Sequence, residues 1–122
     1  MSGRVLLIED EVSIAEAIHF LLTRDGWEVV VYPQGTGAIE KLAEVAPDLV
    51  ILDVMLPGRS GFDILADLRA NPTTTTLPVI MLTAKGQEAD RAAAEKAGVS
   101  RFMTKPFANA EIRAAVRDLL AT

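Results

Sequence analysis

Leu49-Val50-Ile51-Leu52-Asp53 is a hydrophobic run of strand length that ends at a carboxylate. Similar runs recur along the chain, and each leads into a polar residue: 5–8 into Glu9 and Asp10, 79–82 into Thr83, and 102–104 into Lys105. If these runs are parallel strands of one sheet, their carboxyl ends lie at the same edge. We therefore expect the polar side chains that follow them to converge.

The hydrophobic runs alternate with helical patterns five times. This alternation predicts an α/β fold, a doubly wound (βα)5 flavodoxin-like three-layer sandwich with a parallel five-stranded sheet in the order 2-1-3-4-5. The strands are predicted at about 4–9, 28–32, 49–53, 79–82 and 101–104. This order places the first and third strands at a topological switch point, where ligands bind beyond the carboxyl ends of the strands.

Apolar residues at helical spacing predict the faces that pack on the sheet. The inward candidates are Ile14, Ala17, Ile18, Leu21 and Leu22; Ala38, Ile39, Leu42 and Ala43; Phe62, Leu65 and Leu68; Ala89, Ala92, Ala93 and Ala97; and Ile112, Ala115, Val116, Leu119 and Leu120, with Asn109 as an N-cap. The fourth helix, predicted at 87–97, offers only alanines. Because burial contributes about 0.8 kcal/mol per CH₂, we expect this helix to be weakly anchored and able to shift.

Composition narrows the functional classes. The 122 residues have room for one domain, predicted over 1–122, and the net charge of −5 disfavours direct nucleic-acid binding by this chain. Without cysteine, neither a disulfide nor a thiolate metal site can form. No apolar run approaches the roughly 20 residues of a membrane span, so we expect a cytoplasmic domain without membrane contact.

The residues expected at the sheet edge have complementary chemistry. Carboxylates of Glu9, Asp10 and Asp53 can hold a divalent cation, which offsets their mutual repulsion. The hydroxyl of Thr83 and the ammonium of Lys105 can contact a phosphoryl group and balance its charge. The pattern therefore indicates a phosphoaspartate site. Glu11 is interpreted as a helix-start charge near the positive end of the helix dipole.

The chain resembles the receiver domain of a bacterial two-component response regulator over essentially its whole length. The motifs that carry the resemblance are Leu7-Ile8-Glu9-Asp10-Glu11, Leu52-Asp53-Val54-Met55-Leu56-Pro57-Gly58, Gly61-Phe62-Asp63-Ile64-Leu65, Met81-Leu82-Thr83-Ala84-Lys85 and Thr104-Lys105-Pro106-Phe107. Each motif alone is weak. Their joint occurrence, in this order and at these strand ends, is specific.

The resemblance implies that Asp53 accepts a phosphoryl group from a phosphohistidine on a sensor histidine kinase or histidine phosphotransfer protein. It implies Mg²⁺ as the cofactor, bound by Asp10 and Asp53, by Glu9 directly or through water, and by the backbone carbonyl of Met55. Lys105 would pair with the phosphoryl group, and the peptide before Pro106 would be cis. The domain would catalyse only its own phosphorylation and dephosphorylation.

The resemblance also implies a conformational switch. Thr83, with Ala84, would turn toward the phosphoryl group, and Phe102 would rotate inward into the space that Thr83 leaves. The face formed by the last two helices and the fifth strand would then bind a downstream effector protein or a second copy of the chain. With no effector domain after Thr122, we expect an intermolecular output if the chain is a whole protein, although it could equally be an excised receiver.

Two alternatives have different chemistry. A phosphoaspartate hydrolase of the haloacid dehalogenase type also uses an aspartate at a strand end, but it requires a second acid two residues later, where this chain has Met55. A receiver-like module could instead bind partners without being phosphorylated. Phosphorylation that depends on Mg²⁺ distinguishes the receiver from this second alternative.

Overall fold

A computed structural model describes residues 3–84 and 88–120, apart from the side chain of Glu88. Within these residues the chain forms one sheet in the strand order β2-β1-β3-β4-β5, and every neighbouring pair of strands is parallel. Five helices connect and follow the strands. The predicted doubly wound α/β architecture is confirmed.

The bounds of the elements agree with the predictions to within one or two residues. The strands are β1 (Arg4–Ile8), β2 (Glu28–Tyr32), β3 (Leu49–Asp53), β4 (Val79–Ala84) and β5 (Arg101–Lys105). The helices are α1 (Val12–Arg24), α2 (Ala38–Val45), α3 (Gly61–Ala70), α4 (Glu88–Lys96) and α5 (Asn109–Leu120). Strands β4 and β5 run further than predicted, so Thr83 and Lys105 lie within strands and not after them.

The three central strands owe their continuous hydrophobic runs to burial on both faces of the sheet. The side chains of residues 5–8, 49–52 and 79–82 are all 0% exposed. Successive residues point to opposite faces: Leu6 and Ile8 pack in a core with α2, α3 and Ala94 of α4, which we call the α2–α4 core. Val5 and Leu7 pack in a core with α1 and α5, which we call the α1–α5 core.

The helix phases differ from the predictions where alanine carried the pattern. In α1, Ala15 is buried and Ala17 is exposed; in α2, Val45 is buried and Ala43 is exposed. In α4, Ala94 is the fully buried alanine. Ala89, Ala92 and Ala93 are exposed and Ala97 is partly buried, so the predicted inward set is wrong apart from Ala97. A run of alanines offers no contrast in size or polarity, so the spacing did not determine which one faces the sheet.

The remaining helix predictions hold in part. Ile112, Ala115 and Val116 of α5 are buried as predicted, with Leu119 and Leu120 partly buried. Helix α5 begins at Asn109 itself. In α3, Ile64 is buried beside the predicted Leu65 and Leu68, whereas Phe62 is only partly buried. Gln87, the predicted first residue of the fourth helix, lies outside the described residues.

The loop after β3 is pressed closely against the end of that strand. The amide of Gly61 donates a 2.8 Å hydrogen bond to the carbonyl oxygen of Val54, and a Cβ atom at Gly61 would overlap the carbonyl oxygen of Asp53. Ser60 caps α3 by accepting a 3.2 Å hydrogen bond from the amide of Asp63. Glycine at 61 thus lets α3 begin directly beneath Asp53. No helix in the described part of the chain has the length and apolar character needed to cross a bilayer.

Candidate functional site

The sheet topology brings the predicted polar residues to one edge. Strands β1 and β3 are neighbours in register, with Ile8 opposite Leu52, so Glu9 and Asp10 follow β1 beside Asp53 at the end of β3. Strand β4 lies next, and its Ala84 pairs with Lys105 of β5. The convergence follows from the parallel arrangement, as expected.

Three carboxylates form a compact cluster at this edge. Glu9, Asp10 and Asp53 each offer one oxygen, and these oxygens all lie within 4.8 Å of one another. Glu9 and Asp53 are 1% and 4% exposed, whereas Asp10 is exposed to solvent. Hard carboxylate oxygens at this spacing suit a small divalent cation such as Mg²⁺, since such a cation binds few protein oxygens and keeps water in its remaining positions.

The ammonium of Lys105 lies among carboxylates. Its Nζ is 3.0 Å from Oδ2 of Asp53, 2.9 Å from Oε1 of Glu9 and 3.1 Å from Oε1 of Glu11. The contacts with Asp53 and Glu11 are hydrogen bonds. The sequence placed Glu11 at the start of a helix, near the positive end of its dipole, and its contact with Lys105 was not predicted. Its position directly after Glu9 and Asp10 was the available signal.

Glu9 has an incompletely satisfied carboxyl group. Oε2 accepts a 3.2 Å hydrogen bond from the amide of Glu11, whereas buried Oε1 accepts no aligned hydrogen bond from the described residues. Burial of the carboxyl, a hydrogen bond with Asp53 and the charge of Asp53 raise the pKa of Glu9 to about 7, although Lys105 acts in the opposite direction. A buried oxygen with spare acceptor capacity beside two further carboxylates fits a cation site.

The charge of Lys105 is secured by its neighbours. Burial by itself would lower the pKa of the ammonium, but the close contacts with the carboxylates of Glu9 and Asp53 and their negative charges outweigh burial and raise it. Lys105 is therefore protonated throughout the neutral range. The peptide bond between Lys105 and Pro106 is cis, as the family resemblance implied.

The hydroxyl of Thr83 is directed to a residue that sequence analysis did not single out. Thr83 is 1% exposed, and its Oγ1 donates a 2.9 Å hydrogen bond to Oδ2 of Asp90 in the first turn of α4. Asp90 lies seven positions along the chain, across a connection whose path the sequence does not specify. No sequence motif marked this partner.

Phe102 is already buried in this structure. It is 8% exposed and packs in the α2–α4 core with Ala94. The guanidinium of Arg91 lies over the ring, 5.0 Å from its centroid, a distance typical of a cation–π contact. The predicted movement of Phe102 on phosphorylation stays a prediction.

The other predicted residues lie at the rim of the site. The Met55 side chain is 75% exposed, and the role of its backbone carbonyl as a cation ligand stays a prediction. Ala84 and Pro106 are also exposed. Beside the acidic cluster, α1 and β2 border a groove of about 550 Å³ that includes Phe20 and Val12, whose side chains are 60% and 69% exposed.

Charges on the face of α4, β5 and α5 are partly paired within the chain. Arg113 makes two hydrogen bonds of 2.8 and 2.9 Å to the carboxylate of Asp25, and Arg101 lies 3.8 Å from Asp118. These pairs connect α5 to the end of α1 and to β5. Arg101, Arg113 and Asp118 are therefore already paired within the chain.

Comparison with known proteins reveals clear relatives. Residues 5–117 match the family described as the response regulator receiver domain. The phosphate regulon transcriptional regulatory protein PhoB of Escherichia coli K12 is 38% identical over 120 residues. The sensory transduction protein RegX3 of Mycobacterium tuberculosis H37Rv is 39% identical over 116 residues. These alignments cover 98% and 95% of the chain but 52% and 50% of the relatives, so the chain spans about half the length of the curated relatives it matches.

Solved structures show the same similarity in three dimensions. A putative response regulator from Chloroflexus aurantiacus J-10-fl has a TM-score of 0.94 and 33% identity, over 100% of both chains. The BeF3-activated receiver domain of Klebsiella pneumoniae RstA has a TM-score of 0.91 and 30% identity, over 98% of this chain and 100% of that one. The resemblance found in the motifs is confirmed: the chain belongs to the response regulator receiver domain family, the signalling domains of two-component systems.

Proposed function

We propose that Asp53 is the phosphoacceptor of this receiver domain, and that it is phosphorylated in a Mg²⁺-dependent reaction by a sensor histidine kinase or a histidine phosphotransfer protein. The observation that carries the proposal is the setting of Asp53. Its carboxylate is 4% exposed, belongs to the three-acid cluster and accepts a 3.0 Å hydrogen bond from Lys105. A nucleophile, a cation site and a fixed positive charge thus occupy one sheet edge.

Phosphoryl transfer to Asp53 requires little covalent chemistry from the rest of the protein. One oxygen of Asp53 forms a bond to phosphorus as the phosphorus–nitrogen bond of the donor phosphohistidine breaks. The imidazole leaves with the bonding electron pair and takes up a proton. Because charge on the transferred group is spread over its oxygens, positioning and electrostatic stabilisation provide most of the catalysis. Lys105, held beside Asp53, supplies a positive charge where those oxygens arrive.

Asp10, Asp53 and Glu9 are the residues that would hold the cation, joined by the backbone carbonyl of Met55. When bound, Mg²⁺ would offset the negative charge of the carboxylates and of the phosphoryl oxygens. Glu9 differs from Asp10 in being buried, and its raised pKa means that it carries a proton part of the time near neutral pH. Glu9 would bind the cation either directly or through a water molecule.

Phosphorylation would be transmitted through Thr83 and Phe102. A phosphoryl group adds about −1.5 to −2 charge and three strong acceptors, which would attract the Thr83 hydroxyl. Thr83 and Phe102 lie on adjacent strands, one of which precedes α4 and the other of which follows it. A change at the two residues would therefore alter the face of α4, β5 and α5, which we propose binds an effector protein or a second copy of the chain.

The groove between α1 and β2 suggests where the phosphodonor protein docks. Exposed Phe20, Val12 and Val31 surround it, and Glu9 and Asp10 line its end nearest the site. A donor histidine must come within bonding distance of Asp53, so a donor protein must cover a surface next to the acidic cluster. Apolar side chains grouped on that surface favour a protein contact.

The alternatives make different demands on the same residues. A hydrolase of the haloacid dehalogenase type needs an acid at the position of Met55, which is a largely exposed methionine. A phosphate-independent binding module would have no need for a buried acceptor beside Lys105. The geometry around Asp53 favours the phosphoacceptor over both.

Intact-mass spectrometry tests the proposal directly. The native chain is incubated with a small acyl phosphate, with and without Mg²⁺, beside Asp53→Asn and the matched control Asp48→Asn at the opposite edge of the sheet. We expect one added phosphoryl group in the native chain and in Asp48→Asn with Mg²⁺, and none without Mg²⁺ or in Asp53→Asn. Modification of Asp53→Asn to the native level would assign the acceptor elsewhere. If the native chain is not modified by the acyl phosphate or by any donor kinase, the binding module becomes the better explanation.

A further inference from the structure

The hydroxyl of Thr83 already has an acceptor in this structure. Its single proton is engaged by the carboxylate of Asp90 at 2.9 Å, and the hydroxyl is buried. A phosphoryl oxygen on Asp53 would require the same proton. We infer that Asp90 is a positioning residue that holds Thr83 on α4 and competes with the phosphoryl group for it. This inference rests on the proposed function of Asp53.

The bond matters because the described residues of α4 bury little apolar surface. Ala94 is the residue of this helix that is fully buried, and an alanine provides little apolar area. A hydrogen bond from a buried hydroxyl to a carboxylate is among the stronger kinds, because one partner is charged. The Thr83–Asp90 bond is therefore one of the contacts that hold the first turn of α4 to the sheet.

The same turn of α4 also contacts the other switch residue. Arg91, next to Asp90, places its guanidinium over the ring of Phe102. Thr83 contacts Asp90, and Phe102 contacts Arg91. The two switch residues thus contact consecutive residues of one helical turn. When the phosphoryl group takes the Thr83 hydroxyl, Asp90 is released, and the position of Arg91 over Phe102 changes with it.

The opposite end of α4 is fixed independently of the phosphorylation site. Arg69 of α3 donates 2.8 Å hydrogen bonds to the carbonyl oxygens of Gly98 and Leu77. It also approaches the hydroxyl of Ser100, which accepts a 3.0 Å hydrogen bond from the amide of Val79. Loss of the Asp90 bond would therefore loosen the first turn of α4 while its last turn stays attached, so that a movement of the helix would be a pivot about its carboxyl end.

Charge reinforces the competition. A phosphoryl group near Thr83 brings negative charge toward the carboxylate of Asp90, and two acceptors of like sign disfavour each other at one hydroxyl. A hydrogen bond from Thr83 to Asp90 and one from Thr83 to the phosphoryl group therefore exclude each other. In the unmodified chain Asp90 keeps Thr83 in place, and in the phosphorylated chain both the lost bond and the repulsion drive Asp90 away.

Affinity for beryllofluoride, a phosphoryl mimic, measures this competition when titrated calorimetrically with Mg²⁺ present. Asp90→Ala removes the competitor, so we expect about fivefold tighter binding than in the native chain. Asp90→Asn keeps a weaker neutral acceptor and should give a smaller gain. Glu95→Gln, a matched loss of charge on the same helix, should leave the affinity unchanged.

A second background separates the lost hydrogen bond from a general effect of charge. In Thr83→Val there is no hydroxyl to compete for, so adding Asp90→Ala should change the affinity much less than in the native background, through the loss of the Asp90 charge alone. If Asp90→Ala tightens binding as much in Thr83→Val as in the native background, Asp90 acts through its charge and the inference is overturned. An unchanged affinity in Asp90→Ala alone overturns it as well.

Hydrogen exchange in the unmodified, metal-free chain tests the bond without any phosphoryl chemistry. Asp90→Ala and Thr83→Val should each speed amide exchange in peptides of α4 about fivefold, and the double variant should add little more. Exchange at the native rate in both single variants would show that the bond does not hold the helix. Failure of the native chain to bind beryllofluoride would instead contradict the proposed role of Asp53, and the exchange rates would still decide the role of Asp90.

Discussion

At the scale of single residues, the site is a balance of buried charges. One ammonium, that of Lys105, lies within about 3 Å of oxygens from Glu9, Glu11 and Asp53. Lys105 cannot neutralise every one of these carboxylates. Glu9 is affected most. Its side chain is the most deeply buried of the three, and its pKa is raised to about 7.

The raised pKa predicts how stability depends on pH in the metal-free chain. Folded Glu9 holds its proton up to about pH 7, whereas the unfolded carboxyl loses it near 4.5. Between these values the folded state binds more protons, so the contribution of Glu9 to the free energy of unfolding falls as pH rises. The raised pKa of Lys105 leaves its own contribution constant over this range.

We therefore expect Glu9→Gln to flatten the decline in stability between about pH 5 and 7, by an amount on the order of 2 kcal/mol. The measurement is urea unfolding in EDTA at a series of pH values. Glu16→Gln, a substitution at an exposed position of α1, serves as the control and should follow the native curve. A decline in Glu9→Gln as steep as that of the native chain would exclude Glu9 as its source.

At the scale of elements, α4 differs from the other helices in how it is attached. Helices α1, α2, α3 and α5 each bury at least three residues in a core, whereas Ala94 is the buried residue among those of α4 whose side chains are described. Polar contacts attach both of its ends to the rest of the protein. Asp90 binds Thr83 at the first turn, and Arg69 binds the carbonyl oxygen of Gly98 just after the last.

Arg69→Met should show how much the second attachment contributes. The methionine keeps the apolar stem but removes the donors to Gly98 and Leu77, so we expect a loss of about 2 kcal/mol in the free energy of unfolding. Hydrogen exchange at residues 96–100 should rise in parallel. Arg117→Met, at an exposed position of α5, should change stability by less than about 0.5 kcal/mol. A similarly small effect of Arg69→Met would show that packing alone fixes this turn.

The sequence predicted some elements and residues better than others for physical reasons. Strands β1, β3 and β4 are buried on both faces, so their unbroken runs identified them, and the acids at the ends of β1 and β3 followed from the parallel order. The phase of α4 was wrong because alanines give no contrast. The contact of Asp90 with Thr83 was missed because a side-chain contact between elements depends on how loops direct the side chains, which spacing does not encode. The contact of Glu11 with Lys105 was missed although Glu11 directly follows Glu9 and Asp10.

At the scale of the whole molecule, the two cores share one sheet, so loss of either core destabilises the strands on which the other core is built. We expect the domain to unfold in a single transition. Ligands that bind only the folded state should raise its free energy of unfolding. Mg²⁺ at ten times its dissociation constant should add about 1.4 kcal/mol to the free energy of unfolding. Urea titrations with and without Mg²⁺ measure this.

The shift should disappear in Asp10→Asn, which removes a carboxylate of the cluster, and persist in Asp48→Asn. An equal shift in Asp10→Asn and Asp48→Asn would place the stabilising cation elsewhere on the molecule. The comparison requires a signal that follows unfolding and does not respond to binding itself.

Trp27 meets that requirement. It is the one tryptophan of the chain, and it is 6% exposed. It lies in the α1–α5 core just before β2, at the end of the sheet opposite the acidic cluster. Its indole ring lies so close to Gly3 that a Cβ atom there would come within 3.0 Å of it. Its emission should therefore stay constant when the site is loaded and change when the fold is lost. We therefore expect the protein to carry an intrinsic fluorophore that reports loss of the fold alone, so a change in its emission on one unlabelled sample can be assigned to unfolding and not to occupancy of the site.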